Sequence, residues 1–305
     1  MRISRIALGA WQFGSREWGY GEEYATTTAP ALVRRALDLG ITMIDTAEAY
    51  GPARSERIIG ETLATVPMGR RDGLVVATKF LPIAPAEPIV ARQARGSRRR
   101  LGVEVLDLYY AHWPNPFVSP ARTMQAVRPL LAEGVIRRVG VSNHSLAAWR
   151  EAERGLRAPV VANQVAFSLT SPGPARELVP YAAAHGRIVV AYSPLAQGLL
   201  ARDGGATPEP RPRGFRSRDR RFRGAAVRRL APLKGAIHEI AAAHGATAAQ
   251  ISLAWLLAHP STVAIPGART LAQLEENAAA AEIDLAPDEV SRLTRAAEEL
   301  AAGRR

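Results

Sequence analysis

Residues 74–79 have the sequence Leu-Val-Val-Ala-Thr-Lys, an apolar run that ends in a lysine. Such a run, apolar on both faces, is typical of a strand in a parallel sheet. The 40 basic residues of the chain include only two lysines, Lys79 and Lys234. Because arginine is the general surface cation of this chain, a lysine at the end of a buried strand indicates either a compact ammonium with a chemical role or a side chain that reaches out to solvent at the rim.

Other short aliphatic runs alternate with longer amphipathic segments along the chain. The predicted strands are residues 6–8, 43–45, 74–79, 106–110, 135–141, 160–165, 188–192 and 263–265. The predicted helices are residues 30–39, 55–63, 120–133, 145–153, 174–185, 247–259 and 287–302. This alternation predicts an α/β fold, a single (β/α)8 TIM barrel domain over residues 1–305, with a long loop at 197–224 and a C-terminal helix at 287–302. A doubly wound sheet is the alternative, but no G-x-G-x-x-G loop follows the first strand.

Composition excludes several classes of protein. The chain has 305 residues, 47% of them hydrophobic, and no cysteine, which excludes disulfides and thiolate chemistry. We expect a cytoplasmic protein, because no apolar run resembles a signal peptide or approaches a membrane span. The net charge of +12 includes arginine clusters at 98–100 and 211–229. These clusters could bind nucleic acid, but no recognition motif accompanies them, so we interpret them as a solvated basic face. We expect no nucleic-acid or membrane partner, and a monomer.

Four polar residues stand at or after the ends of neighbouring predicted strands: Asp45, Tyr50, Lys79 and His112. The carboxyl ends of barrel strands hold the active site. Asp45 can pair with Lys79, and His112 can orient a substrate oxygen. A lysine beside Tyr50 is expected to lower its pKa, so that Tyr50 acts as a general acid near neutral pH. These groups can polarise and protonate a carbonyl but cannot supply a hydride, which implies a cofactor.

Metal and serine chemistry are not indicated. The run from His238 to His244 does not have the H-E-x-x-H spacing of a zinc site, and no G-x-S-x-G elbow exists. A metal-dependent barrel hydrolase would need several His and Asp ligands at strand ends, and only His112 and Asp45 are so placed. We expect no metal.

Eight sequence motifs follow the predicted strands in order. They are Leu8–Gly14, Ile44–Gly51, Thr78–Phe80, Tyr110–Trp113, Gly140–His144, Asn163–Val165, Ala191–Leu195 and Ile265–Arg269. Through these motifs the chain resembles the aldo-keto reductases over almost its whole length, and the bacterial and plant branch more than the mammalian one. The resemblance implies an NADPH-dependent enzyme that transfers a hydride reversibly to an aldehyde or ketone. An NADPH-binding regulatory subunit with vestigial activity is the alternative.

The resemblance also assigns roles to residues. The catalytic tetrad would be Asp45, Tyr50, Lys79 and His112. Cofactor-binding residues would be Ala10 and Trp11, Ser142, Asn143 and Gln164 at the carboxamide, Tyr192 stacked on the nicotinamide, Ser193, Leu195, Gln197 and Gly198 at the pyrophosphate, and Pro266, Gly267, Arg269, Gln273, Glu276 and Asn277 at the adenosine 2′-phosphate and adenine. The substrate pocket would be lined by Trp11, Tyr50, His112 and Trp113, with Trp18 a further candidate.

Two departures from the family pattern carry expectations. Many members have a lysine where Gly267 stands, so Arg269 must compensate in holding the 2′-phosphate. The chain begins almost at its first strand, so the N-terminal hairpin that closes the barrel bottom is expected to be short or absent. The arginine-rich residues 201–224 are expected to become ordered over bound NADPH.

Overall fold

The computed structural model describes residues 3–14, 21–201 and 224–303 and forms a closed barrel of eight parallel strands. The strands are β1 (Leu8–Gly9), β2 (Met43–Asp45), β3 (Val75–Phe80), β4 (Leu108–Ala111), β5 (Val139–Ser142), β6 (Val160–Ala166), β7 (Ile188–Tyr192) and β8 (Thr262–Ala264). Each strand pairs in parallel with the next along the chain. The barrel closes where Ala7 N donates to Ala264 O at 2.8 Å and Ala264 N to Arg5 O at 3.0 Å. The predicted (β/α)8 fold is thereby confirmed.

Helices surround the sheet and connect its strands. They are α1 (Trp11–Gly14), α2 (Ala29–Asp38), α3 (Arg54–Ala64), α4 (Glu87–Leu101), α5 (Pro120–Ala132), α6 (Leu146–Leu156), α7 (Pro174–Ala184), α8 (Gly224–Arg229), α9 (Ala231–His244), α10 (Ala248–Leu257), α11 (Leu271–Ala279) and α12 (Pro287–Ala302). Of the described residues, no single helix is long and apolar enough to cross a membrane; α9 and α10 reach that length and hydropathy only together, across a 94° bend.

Helices α1, α4, α8, α9 and α11 were not among the helices predicted from the sequence. In α4 the buried side chains are mostly small, and arginines dominate the rest of the helix. Such a helix presents few large apolar residues at helical spacing, which is the signal that the prediction used. Small residues suffice there because α3 and α4 touch closely: a Cβ at Gly60 would lie 2.1 Å from Arg100 O.

The predicted strand at 135–141 starts too early. The paired strand β5 begins only at Val139, because the residues before it close the end of α5. Val135 N donates to Leu130 O at 2.9 Å, and Val135 is buried. Val135 thus closes the helix end, while its carbonyl oxygen accepts from Leu106 N at 3.1 Å, and only an isolated parallel bridge between Leu106 and Ile136 precedes the paired strand.

Alternation along β3 determines which side chains enter the barrel. Val75 and Ala77 belong to the cluster that fills the barrel interior, whereas Val76 and Phe80 belong to the cluster between sheet and helices. Since successive side chains point to opposite faces, Lys79 shares the interior face with Val75 and Ala77. The barrel interior thus changes from apolar to charged at the carboxyl end of the strand.

The long connection after β7 is described only at its start. Residues Ala196–Gly198 form a single 3-10 turn, and Leu199 and Leu200 are buried beyond it. Residues 202–223, on which the expectation of ordering over NADPH rests, lie outside the described residues, as does Trp18. At the opposite end of the barrel, Ile3 packs against the interior cluster.

Candidate active site

Lys79 is the centre of the charged layer at the carboxyl ends of β2 and β3. Its side chain is fully buried, and its ammonium donates three hydrogen bonds. The acceptors are Asp45 Oδ1 at 2.5 Å, Thr46 O at 2.7 Å and Tyr50 Oη at 3.1 Å. Three acceptors match the three protons of an ammonium. Burial lowers the pKa of Lys79, but Asp45 and Tyr50 outweigh it and the pKa is raised, so the group stays charged.

Asp45 is held from both sides. Its second oxygen, Oδ2, accepts a hydrogen bond from Gln164 Nε2 at 2.8 Å, and the residue is only 2% exposed. Burial raises the pKa of Asp45, against the opposing effects of Lys79 and Gln164. The charged form of Asp45 therefore depends on Lys79 and Gln164, because an unpaired buried charge is costly in free energy.

The pKa of Tyr50 differs from the expectation. Lys79 pulls the pKa of Tyr50 down, as expected, but burial raises it by more, and Asp45 raises it further. The expected lowering was therefore wrong in its net direction, because residue order does not reveal how deeply a phenol will be buried. With a raised pKa, Tyr50 is protonated throughout the neutral range, which is the state that a proton donor requires.

His112 stands beside Tyr50 as a neutral imidazole. The ring centroids of the two residues are 5.7 Å apart at an angle of 76°. Burial, followed by the nearby charge of Lys79, lowers the pKa of His112 to about 3. Its Nδ1 atom is buried and has no hydrogen-bond partner among the described residues. A neutral imidazole can donate one hydrogen bond to a substrate oxygen without adding charge.

A close approach of two backbones positions the loop that carries Tyr50. Gly51 has φ +59°, and a Cβ there would lie 2.1 Å from Gly14 O. A Cβ at Gly14 would lie 2.3 Å from Tyr50 O. Only glycine allows this contact, so α1 supports the Tyr50 loop directly.

One cavity of about 600 Å³ opens at this end of the barrel and is of a size typical for small-ligand sites. Tyr50 and His112 line it together with Trp11 and Trp113, which are 37% and 38% exposed. Lys79 lies behind Tyr50 and does not line the cavity. The structure thus brings together the four residues predicted for the substrate pocket.

The residues predicted at a nicotinamide carboxamide line the same cavity. Gln164 Nε2 is committed to Asp45, and Ser142 Oγ donates to Gln164 O at 2.9 Å. Ser142 Oγ also accepts from Asn143 Nδ2 at 3.3 Å, which leaves the side-chain oxygen Oε1 of Gln164 and one lone pair of Ser142 Oγ to accept hydrogen bonds. Tyr192 Oη donates to Asn143 Oδ1 at 3.0 Å, which places its ring beside this group. The donor and acceptor set fits a carboxamide.

Backbone strain is concentrated after β5 and β7. Asn143, Ser193, Ala196 and Gln197 all have φ between +49° and +59°, a region that favours glycine. All but Ala196 line the cavity. Strained non-glycine residues occur preferentially at ligand sites, and the segment includes the residues predicted at a pyrophosphate. Leu195 and Gly198 line the cavity with them.

The segment after β8 completes the cavity wall. All of its predicted residues line it: Pro266, Gly267, Arg269, Gln273, Glu276 and Asn277. Arg269 is exposed, and its guanidinium forms no salt bridge within the described ranges. Gln273 Oε1 accepts from Arg269 N at 2.9 Å, and Thr270 caps the start of α11. A free guanidinium beside a helix N-terminus fits a phosphate group.

Gln12 is a lining residue that the sequence analysis did not assign to the site. It is 7% exposed, and its Nε2 donates to Gly9 O at 3.0 Å and to Ala268 O at 3.2 Å. A Cβ at Gly267 would lie 2.7 Å from Gln12 Oε1. The missing side chain at position 267 thus makes room for Gln12. No sequence signal pairs the two positions, because they meet only when β1 and β8 close the barrel.

Comparisons with known proteins agree with this geometry. The sequence profile of the Aldo/keto reductase family matches residues 5–298. An uncharacterized oxidoreductase of Mycobacterium tuberculosis is 48% identical over 97% of this chain and 90% of its own. The methylglyoxal reductase of Escherichia coli is 34% identical over 93% of this chain and 89% of its own.

Among solved structures, an aldo/keto reductase from Klebsiella pneumoniae in complex with NADP and acetate is 32% identical, with a TM-score of 0.75 over 96% of this chain and 91% of that one. The family match spans all eight strands of the barrel. This chain therefore belongs to the aldo/keto reductase family and is an NAD(P)H-dependent oxidoreductase.

Proposed function

We propose that this protein reduces small uncharged aldehydes and ketones with NADPH, and that Tyr50 donates the proton. The observation that carries the proposal is the hydrogen bonding of the fully buried Lys79 ammonium to both Asp45 Oδ1 and Tyr50 Oη. This chain places a fixed cation behind a protonated phenol that faces the cavity. Fixed charge beside a proton donor is how protein sites stabilise an alkoxide as it develops.

The protein's own groups divide the work of the reaction. NADPH, when bound, supplies the hydride to the carbonyl carbon. Tyr50 gives its proton to the carbonyl oxygen, and the ammonium of Lys79 stabilises the phenolate left behind until solvent reprotonates it. Asp45 keeps Lys79 charged and in place. The neutral His112 donates a hydrogen bond that orients the carbonyl oxygen.

The cavity wall supports an uncharged substrate. Among the described lining residues, the only cation is the exposed Arg269 and the acidic groups are Asp45 and Glu276. Asp45 is already paired with Lys79, and Trp11 and Trp113 add apolar surface beside Tyr50. No charged partner for a substrate carboxylate or ammonium lies beside Tyr50 within that set. The methylglyoxal reductase activity named for the Escherichia coli relative agrees with a small aldehyde.

Preference for NADPH over NADH rests on Arg269. Its guanidinium is the cation of the described cavity wall that is free to meet a 2′-phosphate, and the related Klebsiella pneumoniae structure contains NADP. We expect a moderate preference, because a single exposed arginine is well screened by solvent.

A turnover assay tests the proposal. The purified protein is mixed with NADPH or NADH and a panel of aldehydes that includes methylglyoxal, and the loss of reduced-cofactor absorbance is followed. We expect oxidation of NADPH that depends on the aldehyde and is slower with NADH. Quenching of tryptophan fluorescence by NADPH without turnover of any aldehyde would instead support a regulatory, cofactor-binding protein.

A further inference from the structure

Glu48 forms hydrogen bonds to the backbone on both sides of Phe80, at the end of β3 that carries Lys79. Its backbone N donates to Lys79 O at 3.3 Å, and Leu81 N donates to its carboxylate oxygen Oε1 at 2.7 Å. Glu48 stands two residues before Tyr50. The loop that carries Tyr50 is therefore attached to the strand that carries Lys79 through one residue.

The carboxylate of Glu48 lies outside the cavity. It is 12% exposed and does not line the cavity, so it does not reach the substrate or cofactor site. Its Oε1 also accepts from Gln93 Nε2, on α4, at 2.8 Å, and Gln93 Nε2 donates to Leu81 O at 3.2 Å. Three elements thus meet at this one oxygen: the Tyr50 loop, the end of β3 and α4.

A second carboxylate shares the surroundings but serves a different segment. Glu56, on α3, is fully buried and accepts from Thr78 Oγ1 and from Arg100 Nε, each at 2.6 Å. Arg100 Nη2 lies 4.0 Å from Glu48 Oε2. Glu56 therefore fixes β3 against the helix layer, whereas Glu48 fixes the Tyr50 loop against β3.

We propose that Glu48 is a positioning residue that holds the Tyr50 hydroxyl within hydrogen-bond reach of the Lys79 ammonium. The 3.1 Å contact between Tyr50 Oη and Lys79 Nζ depends on the relative placement of two backbones that Glu48 joins. The inference rests on the proposed function, because the contact matters only if Tyr50 is the proton donor.

The test compares Glu48→Ala and Glu48→Asp with Glu48→Gln. Glutamine retains an oxygen at the same reach that can accept from Leu81 N, whereas alanine and the shorter aspartate do not. We expect the alanine and aspartate variants to lose on the order of 10- to 100-fold in kcat, as for a small misplacement of reacting groups. The KM for the aldehyde and the Kd for NADPH should barely change, and Glu48→Gln should recover most of the rate.

The pH profile of alcohol oxidation separates positioning from a loss of stability. Alcohol oxidation needs the Tyr50 phenolate, so its rate rises as the pH passes the pKa of Tyr50. A longer distance to Lys79 raises that pKa, so this rising limb of the pH–rate profile should move to higher pH in Glu48→Ala and Glu48→Asp. Glu133→Ala, which removes a half-exposed carboxylate paired with Arg95 at 3.0 Å, is the matched control and should leave the limb in place. Unchanged kcat and limb in soluble, folded Glu48→Asp would overturn the proposal. Failure of the proposed function would appear separately, as wild-type protein without turnover.

Discussion

The carboxyl ends of β2 and β3 bury their charged side chains, whereas the segment after β8 leaves the charge of Arg269 exposed. Asp45 and Lys79 are at most 2% exposed and hold each other, while Arg269 is exposed and pairs with no carboxylate in the described ranges. The first arrangement suits proton transfer, which requires fixed dipoles and charges with little water. The second suits a phosphate that must enter and leave, because a screened contact is weak enough to reverse.

Replacing Tyr50 gives the largest expected effect. Tyr50→Phe removes the proposed proton donor, so aldehyde reduction should fall by about 10²- to 10⁴-fold. The Kd for NADPH, measured by fluorescence quenching, should stay near the wild-type value, because cofactor binding depends on the cavity residues after β7 and β8. Tyr181→Phe is a matched control, since that hydroxyl bonds Glu153 outside the cavity. Turnover of Tyr50→Phe near the wild-type rate would remove Tyr50 from the mechanism.

The pair Lys79–Asp45 should govern both stability and pH dependence. Lys79→Met leaves Asp45 without its cation, which should cost about 3–5 kcal/mol in the free energy of unfolding measured with urea. It also removes the group that lowers the pKa of Tyr50. Alcohol oxidation needs the phenolate, so its rising limb should move to higher pH. Lys79→Arg should not restore the wild-type profile, because a planar guanidinium does not replace a compact ammonium.

We expect the pH–rate profile to show no titration of His112 in the neutral range. Its folded-state pKa of about 3 lies below its unfolded value, so the folded protein binds fewer protons between those values. Its contribution to stability is present above the unfolded pKa and is lost as the pH falls toward about 3. His112→Asn should therefore lose less unfolding free energy than the wild type between neutral and acid pH. An equal loss in both proteins would contradict the neutral imidazole.

In the exposed half, Arg269→Ala should weaken NADPH binding by about 1–3 kcal/mol, the typical value of a hydrogen bond to a charged group. The effect should shrink with added salt, because the contact is exposed. NADH binding should barely change. Arg122→Ala, an exposed arginine away from the cavity, is the control. Equal losses for both cofactors would show that Arg269 does not contact the 2′-phosphate.

The smallest expected effect concerns Gly267. Gly267→Ala should displace Gln12 and weaken its bond to Ala268 O, at a cost of about 0.5–1.5 kcal/mol in unfolding. The double variant Gln12→Ala/Gly267→Ala should cost less than the sum of the single changes. Gly235→Ala, in α9 with no atom within 4 Å of the new Cβ, should instead be neutral or stabilising. Strict additivity at positions 12 and 267 would show that the two sites do not interact.

The sequence by itself determined where most strands lie and which polar residues end them. Predicted and observed strands coincide at 43–45 and 188–192, and Asp45 and Lys79 stand at or next to strand ends as predicted. These features are local: a short aliphatic run and the polar residue after it are set within a few positions. The parallel arrangement of strands in a barrel then brings the carboxyl ends of all strands to one face.

Only the tertiary structure decided the direction of the Tyr50 pKa, the role of Glu48 and the pairing of Gln12 with Gly267. Burial of Tyr50 depends on α1 and on the loop that packs there, which no local pattern encodes. Glu48 meets Leu81 and Gln12 meets Ala268 across strands that are distant in the chain. The physical reason is that pKa and packing depend on what surrounds a group in space, whereas strand formation depends mainly on its neighbours in sequence.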